Sequence, residues 1–121
     1  MNRNLIKEEF DLIEWLLNNG LPNAKQYLAQ LKDIKVVSQC SCGCASINFS
    51  VKGKMPMTSP MDTISDYSYY SENNNLMGVF IFARDNILAG LEVWSIDGEE
   101  TPIKLPSINE CFPLKIDSLN L

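Results

Sequence analysis

A chain of 121 residues can bury one sizeable hydrophobic core and has no length for two. With 45% hydrophobic and 21% charged residues, 6 Gly and 6 Pro, its composition is that of an ordinary globular protein, which excludes disordered, collagen-like and coiled-coil chains. Ten basic against 15 acidic residues leave a formal charge of -5, which repels phosphate backbones and anionic membranes, and the absence of histidine removes the commonest general base and nitrogen metal ligand.

The first nine residues lack a basic flank leading into an apolar run, because Glu8, Glu9, Asp11 and Glu14 interrupt it. The apolar stretch at 76–83 is far below the roughly 20 residues that cross a bilayer. A cytoplasmic chain with neither nucleic-acid nor membrane partners is expected.

Over residues 4–19 the apolar positions Ile6, Phe10, Ile13 and Leu17, joined by Leu12, Trp15 and Leu16, form one broad helical stripe. Acidic residues crowd its first half, where they suit the helix dipole, and Gly20 is the candidate C-cap. Leu21-Pro22 opens a second helix in which Ala24, Tyr27, Leu28 and Leu31 repeat at helical spacing to about Asp33. The short link makes 4–33 an antiparallel helical hairpin.

From Ile34 the period changes to two. Val36 and Val37, then Ile47, Phe49 and Val51, predict strands on either side of a cysteine cluster. The run from Leu76 to Arg84 suits a central strand, and Asp85-Asn86 a two-residue turn. In the following strand Ile87, Ala89, Leu91 and Val93 share one face, with Glu92 and Trp94 on the other. Asp97-Gly98 is a hairpin signature, and a short strand returns around 101–105. The remainder, 106–121, is an irregular tail whose Ile108, Phe112, Leu114 and Ile116 pack back on the domain. Helices before strands predict one α+β domain over 1–121, its helix pair packed on a four- to five-stranded, mainly antiparallel sheet at 35–105.

The stretch 53–75 shows neither period and reads as a long loop, a feature that in compact domains is often functional. It carries Tyr67, Tyr69 and Tyr70 among the carboxylates Asp62, Asp66 and Glu72. Tyrosines give large, stiff contact area with a polar tip, and the acids add complementarity to a basic surface. These six residues, with Trp94, are the candidate partner-binding set. Arg84-Asp85 reads as a turn ion pair, and Glu8/Glu9/Asp11 and Asp97/Glu99/Glu100 as solvated charge.

Cys40, Cys42, Cys44 and Cys111 supply enough sulfur for a four-thiolate zinc site. The single-residue intervals differ from the C-x-x-C knuckles that wrap zinc, and in an extended strand all three clustered thiols share one face. A catalytic thiol lacks a histidine base. The spacing favours buried structural thiols and no cofactor, with zinc bound by those four cysteines as the alternative.

The run Gln39-Cys40-Ser41-Cys42-Gly43-Cys44-Ala45-Ser46-Ile47-Asn48-Phe49, with Glu14-Trp15-Leu16-Leu17 before it and Phe82-Ala83-Arg84-Asp85 and Leu91-Glu92-Val93-Trp94-Ser95-Ile96-Asp97-Gly98 after it, resembles a family of small uncharacterised bacterial proteins. The likeness spans roughly residues 8–105. Such acidic α+β proteins look like the immunity partners of toxins in contact-dependent growth inhibition. The resemblance implies a non-enzymatic protein that binds and neutralises a cognate, basic, nuclease-type toxin domain. The alternative is a small zinc-binding regulatory or accessory protein built on the cysteines.

Overall fold

The computed structural model describes residues 2–39, 41, 43–57 and 60–113. It is an α+β fold in which one antiparallel six-stranded sheet carries two helices on one face. In chain order the elements are β1 (Arg3–Asn4), α1 (Lys7–Asn18), a 3-10 helix (Ala24–Asp33), β2 (Ile34–Gln39), β3 (Ile47–Val51), β4 (Asp62–Tyr70), β5 (Leu76–Arg84), β6 (Ile87–Ser95) and a short 3-10 turn (Ile108–Glu110). Across the sheet the order is β1-β2-β3-β6-β5-β4. β4, β5 and β6 form a meander and β3 lies beside β6, so the chain after β3 must cross the end of the sheet before starting β4. Among the described residues no helix is long and apolar enough to cross a membrane.

The core lies between the helices and the inner face of the sheet. Leu12, Ile13, Leu16 and Leu17 of α1 meet Val36, Ile47, Phe49, Val79, Ile81, Leu91 and Val93. The buried helical stripe is rotated from the expected one: Ile6 is exposed because the helix starts only at Lys7 and Ile6 serves as its N-cap, and Phe10 is exposed because the buried face runs through Glu9, Leu12, Ile13, Leu16 and Leu17. Trp15 is half-buried against the core. Gly20 is not a left-handed cap, since its φ is not positive; α1 closes at Asn19, whose N–H donates to Leu16 O at 3.2 Å.

The second helix forms, but it begins at Ala24 with Asn23 as its N-cap, so Pro22 stands in the turn before it and not at its first position, and over ten residues it is a 3-10 helix. A three-residue period stacks Ala24, Tyr27 and Gln30 in one row. Gln30 pins that row to the sheet, its Nε2 donating to Asn86 O at 2.8 Å and its Oε1 accepting from Leu88 N at 2.9 Å.

Three strand expectations are corrected. The stretch 53–75 is not one long loop, because Asp62–Tyr70 is strand β4, and the sheet has six strands where four or five were expected. In β6 the register shifts between Phe82/Ala83 and their partners, leaving Ala89 as an extra residue, so Leu88 joins Leu91 and Val93 in the buried core while Ile87 packs against it only partly buried. No strand forms at 101–105: Pro102 and Pro106 lack ladder donors, and the segment is held by Ala45 N donating to Pro102 O at 2.8 Å. The Asp85-Asn86 turn is present, both residues having positive φ (54° and 65°) as its type requires. Of the tail, Phe112 pairs with Ser68 at the β4 edge, whereas Leu114 and Ile116 lie outside the described residues.

Glu9 fastens the N-terminal strand to α1. Its carboxylate accepts from both Arg3 guanidinium nitrogens, at 2.8 and 2.9 Å, and from Ile6 N–H at 2.9 Å. Burial would raise its pKa, but the Arg3 hydrogen bonds, the Ile6 N–H and the Arg3 charge outweigh it and hold the carboxyl below the usual glutamate range. A depressed folded pKa contributes stability above the unfolded value, near 4.3, that is lost as pH falls through the folded one. Glu9→Gln is expected to cost ~1–2 kcal/mol at pH 7. Urea titrations of parent and variant should converge only as pH falls below the depressed folded value of Glu9.

Candidate partner-binding surface

The outer face of the β4–β5–β6 meander is built by register. Asp66 lies opposite Phe80, and Phe80 opposite Glu92, so one row runs carboxylate, phenyl ring, carboxylate. Two strand spacings set the two acids ~10 Å apart at the backbone. The next row is Ser68, Gly78 and Trp94, and the third sets Tyr70 beside Leu76. Gly78 is required by its neighbour: a Cβ there would stand 2.4 Å from Trp94 Nε1, so the indole lies directly over the bare backbone. Trp94 remains 42% exposed. Tyr70, 55% exposed, stacks on Phe112 with ring centroids 5.5 Å apart.

Burial raises the pKa of both acids; for Glu92 the neighbouring Ser46 hydroxyl pulls the other way. Among the described residues neither carboxylate joins an ion pair, whereas Glu9, Asp11, Asp33, Glu72 and Asp85 each have a cation within 4.0 Å. The surface therefore holds negative charge that the fold leaves uncompensated, beside aromatic rings able to stack on a cation.

The seven candidate residues do not share one loop. Asp66, Tyr70 and Trp94 come together on the outer face, while Asp62 is exposed at the start of β4. Glu72 sits in the β4–β5 turn, paired with Lys104 at 3.0 Å. Tyr67 and Tyr69 turn inward, because side chains alternate along a strand. Tyr67 packs on Trp15 with ring centroids 4.7 Å apart and donates its hydroxyl to Asn19 O at 2.6 Å. Tyr69 is only 4% exposed. Phe80, Glu92, Glu100 and Glu110 were absent from the candidate set; the alternation of Leu76, Gly78 and Phe80 was the available signal for the first.

A cleft of about 220 Å³ opens at the β4–β5 turn, lined among others by Tyr69, Glu72, Glu100, Ile103, Lys104 and Glu110. Glu100 accepts from Asn75 Nδ2 at 2.7 Å and from the Ser71 hydroxyl, and these bonds, the Ser71 one foremost, lower its pKa. Glu110 is likewise lowered by the Ser107 backbone N–H and hydroxyl, at 2.9 and 2.8 Å. A second hollow of about 260 Å³, between the 3-10 helix and β3, holds Asp33 and Lys52 3.8 Å apart, with Lys54 also in its wall, so its lining is not net acidic.

Cys40 and Cys42 lie outside the described residues. Cys44 is buried and Cys111 half-buried, both free thiols. Burial foremost, then Glu110, pushes the Cys111 thiol up to about 11, far from a reactive thiolate. Among the described residues no group of three or more acidic or cysteine side chains is placed to hold a metal ion. Set against protein-family models, curated proteins and solved structures, the chain matches none of them.

Proposed function

We propose that the chain is a non-enzymatic interaction protein of the cytoplasm that binds and occludes a basic protein domain, in the manner of an immunity protein for a cognate nuclease-type toxin. The observation that carries the reading is the row Asp66-Phe80-Glu92 with Trp94 beside it: an exposed and a half-buried carboxylate without a cation partner among the described residues, flanking exposed aromatic surface. Holding such charges unpaired costs the folded protein. A basic partner offsets that cost on binding, its lysines and arginines pairing with the acids while Trp94 and Tyr70 supply apolar anchors. A net charge of -5 steers such an encounter and makes it fall with salt. Nuclease domains attract phosphate and so present the basic surface this face fits.

The test is coexpression with the protein encoded immediately upstream. The expected result is rescue of growth from a toxic basic domain by the parent chain, with affinity reduced about tenfold by Trp94→Ala, ~1.4 kcal/mol, and folding intact by circular dichroism. An upstream product that is harmless, or that forms no complex with the chain, overturns the reading.

A further inference from the structure

We infer that the cleft at the β4–β5 turn is the seat of a lysine side chain from the partner, its ammonium held between Tyr69, Glu100 and Glu110 and its alkyl stem against Ile103. The inference rests on the partner's being a basic protein, as proposed above. Its first support is charge. Glu72, Glu100 and Glu110 face one lysine, Lys104, and that lysine is committed to Glu72 at the rim. The hydrogen bonds that lower Glu100 and Glu110 keep both ionised at neutral pH, and both remain on the surface, where a ligand can reach them.

An acidic cluster alone selects nothing; the second, independent feature is Tyr69. Its side chain is 4% exposed and lines the cleft, and among the described residues its hydroxyl has no hydrogen-bond partner. A buried hydroxyl without a partner is rare and costly. Burial foremost, then Cys111, Glu100 and Glu110, pushes its pKa up to about 12, so it stays a neutral group with a free lone pair. An ammonium, which is all donor, supplies what that lone pair lacks.

Size and wall chemistry narrow the ligand further. About 220 Å³ is below the range of drug-sized pockets and suits one side chain. Ile103, 68% exposed at the wall, offers apolar surface along which a lysine stem lies with its head among the acids. The carboxylates come from separate segments, the residues after β6 and the turn at Ile108–Glu110, and so surround a point charge more readily than they pair with a planar fork.

The probe is pentalysine amide, followed by NMR on the full chain. The peptide is expected to shift the Asn75 side-chain amide and the Ile103 methyl resonances, and its lysine-acetylated form to leave them in place. Tyr69→Phe keeps the buried ring, melts no lower than the parent, and weakens peptide binding at least fivefold. Glu100→Gln, on a half-buried carboxylate that keeps its shape as the amide, repeats that loss should the first variant fold poorly. Unmoved cleft resonances, or parent-like affinity in both cleft variants, overturn the inference, as does free cadaverine binding as tightly as the peptide, which makes the cleft a small-amine site. Because pentalysine needs no toxin, these shifts persist if the toxin reading fails; their absence alongside tight toxin binding refutes the cleft alone.

Discussion

Gly20→Ala is expected to lower the unfolding free energy by ~2–3 kcal/mol. The position is crowded by parts that cannot yield. A Cβ there would stand 2.6 Å from Ile64 O, 2.7 Å from Ser65 Cβ and 2.9 Å from Ala24 Cβ. Next to it Leu21 N donates to Ile64 O at 2.9 Å, the bond that ties the link between the helices to β4. Relief requires α1 to separate from β4 or that bond to lengthen. The variant series Gly20→Ala and Gly20→Asn separates this from a capping role. Asparagine tolerates the left-handed conformation and rescues a helix C-cap, but it carries the same Cβ. Equal losses for both variants in urea titrations are expected, and recovery with asparagine would restore Gly20 as a cap.

The same glycine shows how far the sequence could be read. Its place after the last helical turn was legible; its function was not, because the contact that demands it comes from β4, some forty residues on. β4 itself was hidden for two reasons. A register shift between Thr63 and Ser65 breaks the alternation at the start of the strand, and Ser65 and Ser68 are buried without being apolar. Once the shift is passed, Tyr67 and Tyr69 point inward and Asp66, Ser68 and Tyr70 outward, a regular period of two. Reading the tyrosines as one contact patch therefore assigned two core side chains to the surface. The strands β2, β3, β5 and β6 were visible because their apolar residues alternate or run continuously. Trp94 and Asp66 were picked out by residue type, but only the strand order brings them within one face, and Phe80 enters the site by standing between two acids distant from each other in sequence.

Replacing both acids of the outer row, Asp66→Asn with Glu92→Gln, is expected to move folding and binding in opposite directions. Burial raises both carboxyls, with Ser46 only partly offsetting it at Glu92. A carboxyl whose folded pKa exceeds its unfolded one binds its proton more readily in the native state. Its contribution to stability is fully present below the unfolded value, near 4, and is lost as pH rises through the folded value. Above the folded value the ionised acids oppose folding, so the amide pair should raise the melting temperature there. That gain should disappear below about pH 4, where the parent carboxyls are protonated too. Binding carries the reverse sign, because the basic partner meets only the ionised form. The double variant should bind a cognate basic domain about thirtyfold more weakly at low salt, ~2 kcal/mol, with a shallower salt dependence than the parent. Calorimetric melting and titration of the same two proteins check both halves. A double variant that is less stable than the parent and binds equally well would make Asp66 and Glu92 structural, and would remove the charge argument on which the basic partner rests.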